Sequence, residues 1–546
     1  MLADLTQADA DRRSFQARAY RRAVWALDEL SPGLTEPNAR LLEVPSIGPG
    51  VVALIDELRH TGSLRRLDEL LKRYPREANR LRHLPRMTSS RLRLLKGELG
   101  IDTTDDLLEA IATGTVQRIA GIGPRSATRW GAILEMGPTP AARPVHQAAS
   151  FAAAIADHLE THVVGTRVKV AGSIRRYDEW IERIDLVVDG GRPGEAPAFL
   201  LASAIVTGTQ GGTHEAITVD THAGITVVAH AAAPGSVGAC LVWATGPGEH
   251  LAAVMSEARK MGVRAGPDAP FATEDDLYAA VGVRSVPAPA RAGRVDRAGG
   301  PRDTQLIAPG DLRGDLHLHT VRSPDGRQSL EELVLAARRL GYEYVAVTDH
   351  AVGLRFGGLD ADALAAQRTE VRRAREAHPG IRVLHGAELN IGPDGSLDYD
   401  DATLAALDLG VAGVHSHFTL DRAAQTRRVV MAMEHPKVKV IAHLTGRRIG
   451  IRPPIDVDLE AVLAVAVRTG TALEVNGHLD RLDLSADGIR QAVERGVLLA
   501  ANSDAHRLSE LGNAANAVGI MQRAGVPPEI VVNTWPVERF LDWVRR

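Results

Sequence analysis

Seven short apolar runs in the C-terminal half of this chain finish in histidine or acid. "GDLHLHT" ends at His317 and His319, and "YVAVTDH" ends at Asp349 and His350. "RVLHGAELNI" carries Glu388, "GVAGVHSH" ends at His415 and His417, and "VKVIAHL" ends at His443. "TALEVNGH" carries Glu474, Asn476 and His478, and "VLLAANSDAH" ends at Asp504 and His506. From about residue 313 these runs alternate with helical patterns of 10–15 residues, which is the pattern of a βα repeat with parallel strands. Side chains at the C-terminal mouth of a parallel barrel converge on one site. Imidazoles mixed with carboxylates suit zinc, manganese or iron better than magnesium. A His-x-His pair places both rings on one face of a strand. So many donors imply two or three divalent ions, with Mn²⁺ or Zn²⁺ favoured and Fe²⁺ also compatible. Closely spaced ions suit phosphoester hydrolysis, because they acidify water and neutralise phosphoryl oxygens. His214, His222, His230 and His435 lie away from these strand ends and read as hydrogen-bonded structural residues. His417 and His478 are left open between support for the ligands and no role.

A chain of 546 residues is too long for one core, so several domains are expected. Its 45% hydrophobic and 24% charged content is that of ordinary globular protein. The net charge is only −4, so any nucleic-acid surface has to be local. A lone cysteine, Cys240, excludes an internal disulfide, argues against thiolate ligation and fits a reducing cytosol. There is no 18-residue apolar run, and the N-terminus lacks the order of a signal peptide. A cytoplasmic protein with no membrane partner is expected. Composition leaves the oligomeric state open, a monomer included.

The N-terminal region is helical and punctuated by short glycine turns. "VPSIGPGVVALIDEL" (44–58) and "IAGIGPRSATRWGAIL" (119–134) share one form, an apolar lead, Ile-Gly-Pro and an amphipathic helix. Such turns let backbone N–H groups approach a phosphate without reading sequence. Gly48, Gly50, Gly121, Gly123 and Arg125 are the candidate contacts. A third copy, in "HLPRMTSSRLRLLKGELG", has Arg86 and Thr88 at its glycine positions. From Lys72 to Lys96 there are nine basic residues and one acidic residue, Glu77. That stripe adds Lys72, Arg73, Arg91, Arg93 and Lys96 as phosphate contacts.

Between these regions stands "AGSIRRYDEWIERIDLVVD" (171–189). A Gly-Ser turn followed by arginines suits a triphosphate, and carboxylates on the next strand would hold its magnesium. Asp185 is such a carboxylate, but two residues earlier, on the same strand face, the chain has Arg183.

The barrel motifs "DLHLHT…SPDG", "TDH", "GAELNI", "VHSH", "AHLTGR" and "SDAH" resemble the polymerase-and-histidinol-phosphatase (PHP) domain. The resemblance implies a distorted seven-stranded βα barrel with a trinuclear site. Its ligands would be His317, His319, Asp325, His350, Glu388, His415, His443, Asp504 and His506, with Glu388 bridging. His317, Glu388, His415 and His506 would carry the catalysis. Pro324 lengthens the loop before Asp325 by one residue, and Arg447 and Arg448 are candidates for substrate phosphate.

The whole order, helix-hairpin-helix, then "GSIRR…ID", then this barrel, resembles the bacterial family X DNA polymerases. "PGSVGACLVWATGPGEHLAAVMSEARKMG" and "FATEDDLYAAVGVRSVPAP" extend the likeness. That family holds two magnesium ions with three aspartates. Their positions correspond here to Arg183, Asp185 and Val228, so two carboxylates are gone. Ser173 and Arg176 remain as phosphate-binding groups, and Leu54 stands where the family's lyase lysine would be.

The expected architecture is therefore multidomain. It comprises an all-α helix-hairpin-helix region (1–75), a second helical, fingers-like region (76–143) and a degenerate α+β nucleotidyltransferase-like region (144–287). A surface linker (288–312) then leads to the α/β (βα)7 barrel (313–546). The expected function is a DNA-binding, metal-dependent phosphoesterase acting in repair on gapped, nicked or single-stranded ends. It would work as a 3′-5′ exonuclease, in 3′-end processing or by abasic-site incision, beside an inactive polymerase-like core. The alternatives are an active polymerase with a proofreading PHP domain and a small-molecule phosphatase of the histidinol-phosphate type.

Overall fold

The computed structural model describes residues 47–61, 89–119, 122–135 and 142–546, with isolated positions before residue 89. Positions 193, 204, 213–215, 222, 294, 297–304 and 355–356 are outside it. The chain divides into two compact units that do not follow chain order. One comprises Met1–Arg143, Ala154–Lys169 and Glu182–Ala231, and the other Pro144–Ala153, Val170–Ile181 and Ala232–Arg546.

In the first unit both Ile-Gly-Pro motifs open helices, Pro49–Thr61 and Pro124–Glu135. Proline at the first helical position has its ring angle preset and wastes no hydrogen bond. Gly48, Gly50 and Gly123 have no left-handed φ, and a Cβ on any of them would meet nothing within 4 Å. The turns therefore do not need glycine for backbone conformation; what it supplies here is open space. Thr103 caps the helix Thr104–Ala112, its Oγ1 accepting from Asp106 N while Asp106 accepts from Thr103 N. Leu95, Leu107, Ile119, Ile122 and Trp130 form the buried cluster beneath these helices.

This unit also holds most of a five-stranded sheet. Its strands are β1 (Thr166–Val170), β2 (Arg183–Gly190), β3 (Val206–Gly212), β4 (Ala216–Thr221) and β5 (Thr226–Ala231), in the order β1-β2-β5-β4-β3. Strands β2 and β5 run parallel, and the β5–β4 and β4–β3 pairs are antiparallel.

The second unit contains seven parallel strands in simple sequence order: β6 (Gly314–Leu318), β7 (Tyr344–Val347), β8 (Arg382–Asn390), β9 (Leu409–Gly413), β10 (Val438–Ala442), β11 (Ala472–Asn476) and β12 (Leu499–Asn502). The first and last meet through a parallel bridge between Leu318 and Ala505, which nearly closes the barrel. Polar side chains fix where the intervening helices begin. Ser329, Asp360, Asp421, Asp458 and Ser485 each accept a backbone N–H of the following turn.

One apolar cluster draws on all seven strands, with Leu316, Tyr344, Leu384, Val411, Val440, Ala472 and Ala500 among its members. Phe540, Trp543 and Val544, from the helix Val537–Arg545, complete it. The 288–312 stretch, expected from composition to lie along the surface, is buried at Ala288, Arg291 and Ile307. Arg291 is drawn in by Glu274, at 2.6 Å, and Ile307 N donates to Val526 O.

Candidate metal centre and the polymerase-like strand

Strand periodicity explains why the ligands converge. Along β11 the inward positions run Ala472, Glu474, Asn476, and along β12 they run Ala500 and Asn502, with Asp504 two residues past the strand. On β7 the same parity leads from Tyr344 and Ala346 to His350, on β8 from Leu384 to Glu388, and on β9 from Val411 to His415. Each strand is thus apolar at its N-terminal end and presents a donor at its C-terminal end. Three strands break step to do so. The β6–β7 register shifts between Asp315 and Leu318, His443 takes φ +28° just after β10, and Asp504 takes φ +54° just after β12. Gly413 is required where two ligands crowd, since a Cβ there would lie 2.8 Å from His443 Cε1 and 3.0 Å from His415 Cε1.

All nine expected ligands come together. Glu388 is the hub. Its Oε1 is 2.8 Å from His415 Nε2 and 3.0 Å from His443 Nε2, and its Oε2 is 2.7 Å from His350 Nδ1 and 3.4 Å from His317 Nε2. Asp504 Oδ1 lies 3.3 Å from His319 Nε2 and 3.5 Å from His317 Nε2. Asp325 Oδ2 is 3.5 Å from both His350 Nε2 and His506 Nε2, so the longer loop still delivers it. Three groups have donor atoms close enough to share an ion: His319, His350 and His506; His317, His319 and Asp504; and His350, Glu388 and His415.

The donor set fits divalent cations. His317 Nε2, His319 Nε2 and Glu388 Oε2 are buried with no hydrogen-bond partner, a costly state unless something else meets them. The His319 and His506 rings stack at 4.0 Å, which two imidazolium ions would resist. Burial acts against ionisation of Glu388 and Asp504, yet the surrounding histidines hold both carboxyls well below the usual range. His319 is pushed well down by burial and by His506 and His350, which favours the neutral ring that a metal needs.

Several further residues support the candidate ligands from behind. Glu474, fully buried, accepts from His317 Nδ1 at 2.7 Å and from His443 N at 2.8 Å. Ser323 Oγ lies 3.1 Å from His319 Nδ1 and itself donates to Asp349. Such outer partners fix which ring nitrogen faces the ion. Position at a strand end was the available hint for Glu474 and Asp349; Ser323 stands in the "SPDG" motif, which was read only for Asp325. His478 pairs with Asp480 at 3.2 Å, His417 is exposed, and His435 lies 3.9 Å from Asp401. Arg447 donates to Glu179 and to two backbone carbonyls, and Arg448 donates to Asp480.

In the polymerase-like sheet the register places Asp185 directly opposite Val228, and Arg183 opposite Thr226. Asp185 is 3% exposed, and both of its oxygens accept from Arg183 Nε, at 3.1 and 3.2 Å. His230 Nε2 is also 3.2 Å from it. In the other unit, Arg176 donates to Ser173 Oγ, Asp178 and Thr245 O, and Arg175 pairs with Glu274.

Among the residues expected to contact phosphate in the N-terminal region, Gly121, Lys72 and Arg73 lie outside the described residues, as do the side chains of Arg93 and Arg125. Lys96 pairs with Asp102 at 2.7 Å. Arg91 is half-buried in the helix Ser89–Leu99. His214 and His222 are also outside the description. Among the described residues no helix is long and apolar enough to cross a membrane.

A near-closed parallel barrel whose strand ends gather histidines and carboxylates belongs to the class of PHP-type domains, and residues 315–495 match the PHP domain family. Over 539 residues the chain is 30% identical to "DNA polymerase/3′-5′ exonuclease PolX" of Bacillus subtilis strain 168, covering 95% of this chain and 93% of that protein. It belongs to the PolX family. It is also 31% identical over 241 residues to a "Probable phosphatase" of Syntrophotalea carbinolica, covering 42% of this chain and 95% of that protein. A "Probable phosphatase" of Edwardsiella ictaluri is 29% identical over 245 residues.

Proposed function

We propose that this chain is a DNA-directed, metal-dependent phosphoesterase that trims or unblocks 3′ ends, or incises abasic sites, during repair. The observation that carries this reading is the contrast between its two sites. Nine donors converge at the barrel mouth, whereas the polymerase-like strand keeps one carboxylate, covered by Arg183 and His230 and facing Val228. Two magnesium ions need several anionic oxygens, and a fixed guanidinium beside the remaining one repels them. The polymerase-like region is therefore inactive in nucleotide transfer. At the barrel, two or three Mn²⁺ or Zn²⁺ ions would supply a water of lowered pKa and neutralise phosphoryl oxygens.

The protein supplies the rest. Glu388 sits central to the donors, and Glu474 orients His317. An active-site histidine would give a proton to the leaving oxygen. The N-terminal helices and the basic stripe hold the DNA backbone.

The test is a labelled, gapped primer–template incubated with Mn²⁺ and dNTPs. Shortening of the primer supports the proposal. Template-dependent lengthening that disappears in Asp185→Ala would establish an active polymerase instead. The likeness to "Probable phosphatase" proteins favours a second reading, phosphomonoester hydrolysis. Release of phosphate from a 3′-phosphorylated primer without shortening distinguishes it.

A further inference from the structure

We infer that Arg481 is the residue that takes the phosphoryl oxygens of the substrate, and that the former triphosphate-loop segment positions it through Arg447. This rests on the phosphoesterase reading of the barrel.

Arginine pairs with phosphate through a planar fork of N–H donors, so what matters is which guanidinium near the ligands still has donors to give. Arg447 already spends three of its five N–H groups within the protein, one from each nitrogen. Its Nε donates to Arg481 O at 2.9 Å, its Nη1 to Glu179 Oε1 at 2.8 Å, and its Nη2 to Leu482 O. Arg448 is committed to Asp480. Arg452 lies 3.8 Å over the Phe418 ring, and its Nε donates to Gly446 O.

Arg481 differs. Its guanidinium takes no hydrogen bond among the described residues, and its Nε lies 3.5 Å from Asp504 Oδ2. Asp504 Oδ1, in turn, is the oxygen that faces His317 and His319. The cation therefore stands beside a candidate metal ligand with donors unspent, and 21% of its side chain reaches solvent. An oxygen shared between ions and Arg481 would be neutralised from two sides.

The loop that carries Arg481 is held in an uncommon shape. Arg481 N and Leu482 N both donate to His478 O, and Leu482 has φ +42°, a conformation that costs energy for a branched residue. Arg447 bonds to both carbonyls of this turn, and Glu179 holds Arg447. Glu179 belongs to the segment that follows the Gly-Ser turn. That segment is fastened to the barrel at further points. Tyr177 Oη donates to Asn516 Oδ1 at 3.1 Å, and Arg523 donates to Asp178 and to Arg176 O. A Cβ on Gly519 would lie 2.0 Å from the Tyr177 ring, so the two surfaces are in close contact. Glu179 and Arg447 are thus positioning residues for Arg481.

The experiment uses the full chain loaded with Mn²⁺ and measures binding of inorganic phosphate by calorimetry, alongside metal content. Arg481→Met should weaken phosphate binding about ten- to hundredfold, the usual effect of losing charged hydrogen bonds, with the metal content of the wild type. Arg481→Lys should recover part of it. Glu179→Gln should weaken it by a smaller factor, about three- to tenfold, and Glu179→Asp should recover it. Wild-type phosphate affinity in metal-replete Arg481→Met overturns the inference. If Arg481→Met loses metal, a metal-replete Arg481→Lys variant with wild-type affinity does so. Wild-type affinity in Glu179→Gln overturns the positioning role. Failure of the phosphoesterase reading looks different, because the wild-type chain would then leave every DNA 3′ end intact whatever its phosphate affinity.

Discussion

At the scale of single residues, the barrel mouth depends on carboxylates in two different positions. Glu388 faces five imidazoles from within, and Glu474 reaches two of the same ligands from behind. Their substitutions should therefore separate. Glu388→Ala or His317→Ala should abolish hydrolysis in the gapped-primer assay while leaving DNA affinity, measured by fluorescence anisotropy, at the wild-type value. Glu474→Gln should keep the ligands but loosen the orientation of His317, lowering metal affinity about tenfold to a hundredfold in competition with a chelating dye. Asp185 offers a contrast. Because Arg183 and His230 already cover it, Asp185→Ala should leave hydrolysis unchanged.

At the scale of elements, the ligand-bearing strands were legible because each carries its chemistry at its own end. Reading "DLHLHT" or "SDAH" needs no knowledge of what lies opposite. Val228 was named only by correspondence with the family's third aspartate; the register of β2 against β5, which sets it directly opposite Asp185, is a finding of the structure. The seat of Tyr177, Asp178 and Glu179 was not legible, since their partners Asn516, Arg523 and Arg447 are some 270 to 350 residues further on. Nor was the support from Ser323, a common loop residue whose role appears only when His319 is beside it. The double variant Arg183→Asp with Val228→Asp tests the strand reading directly. It should produce template-dependent primer extension absent from the wild type. A second element-level prediction concerns the helix Gly248–Met261. His250 is pushed down to about 4 by burial and by nearby Arg291. Its neutral form is the one the fold prefers, so this stability is present above the unfolded pKa near 6.5 and is lost as pH falls from there toward 4. Thermal unfolding should shift downward over that window, and less so in His250→Gln.

At the scale of the whole molecule, the donors and the core of the barrel form one cooperative object, so metal and stability should be linked. Removing ions with a chelator should end hydrolysis and lower the melting temperature, and adding Mn²⁺ should restore both. The Gly-Ser segment ties the polymerase-like sequence to the same object, through Glu179 and Arg447. The plug of Phe540, Trp543 and Val544 has a temporal consequence. Tyr344 on β7 donates its hydroxyl to Val532 O and Trp535 O, and Asn533 donates to Gly314 O on β6. The earliest barrel strands thus lean on residues that the ribosome delivers some 190 to 220 positions later. All nine candidate donors precede residues 532–544 in the chain, so the segment that completes the apolar cluster is made after every side chain of the barrel mouth.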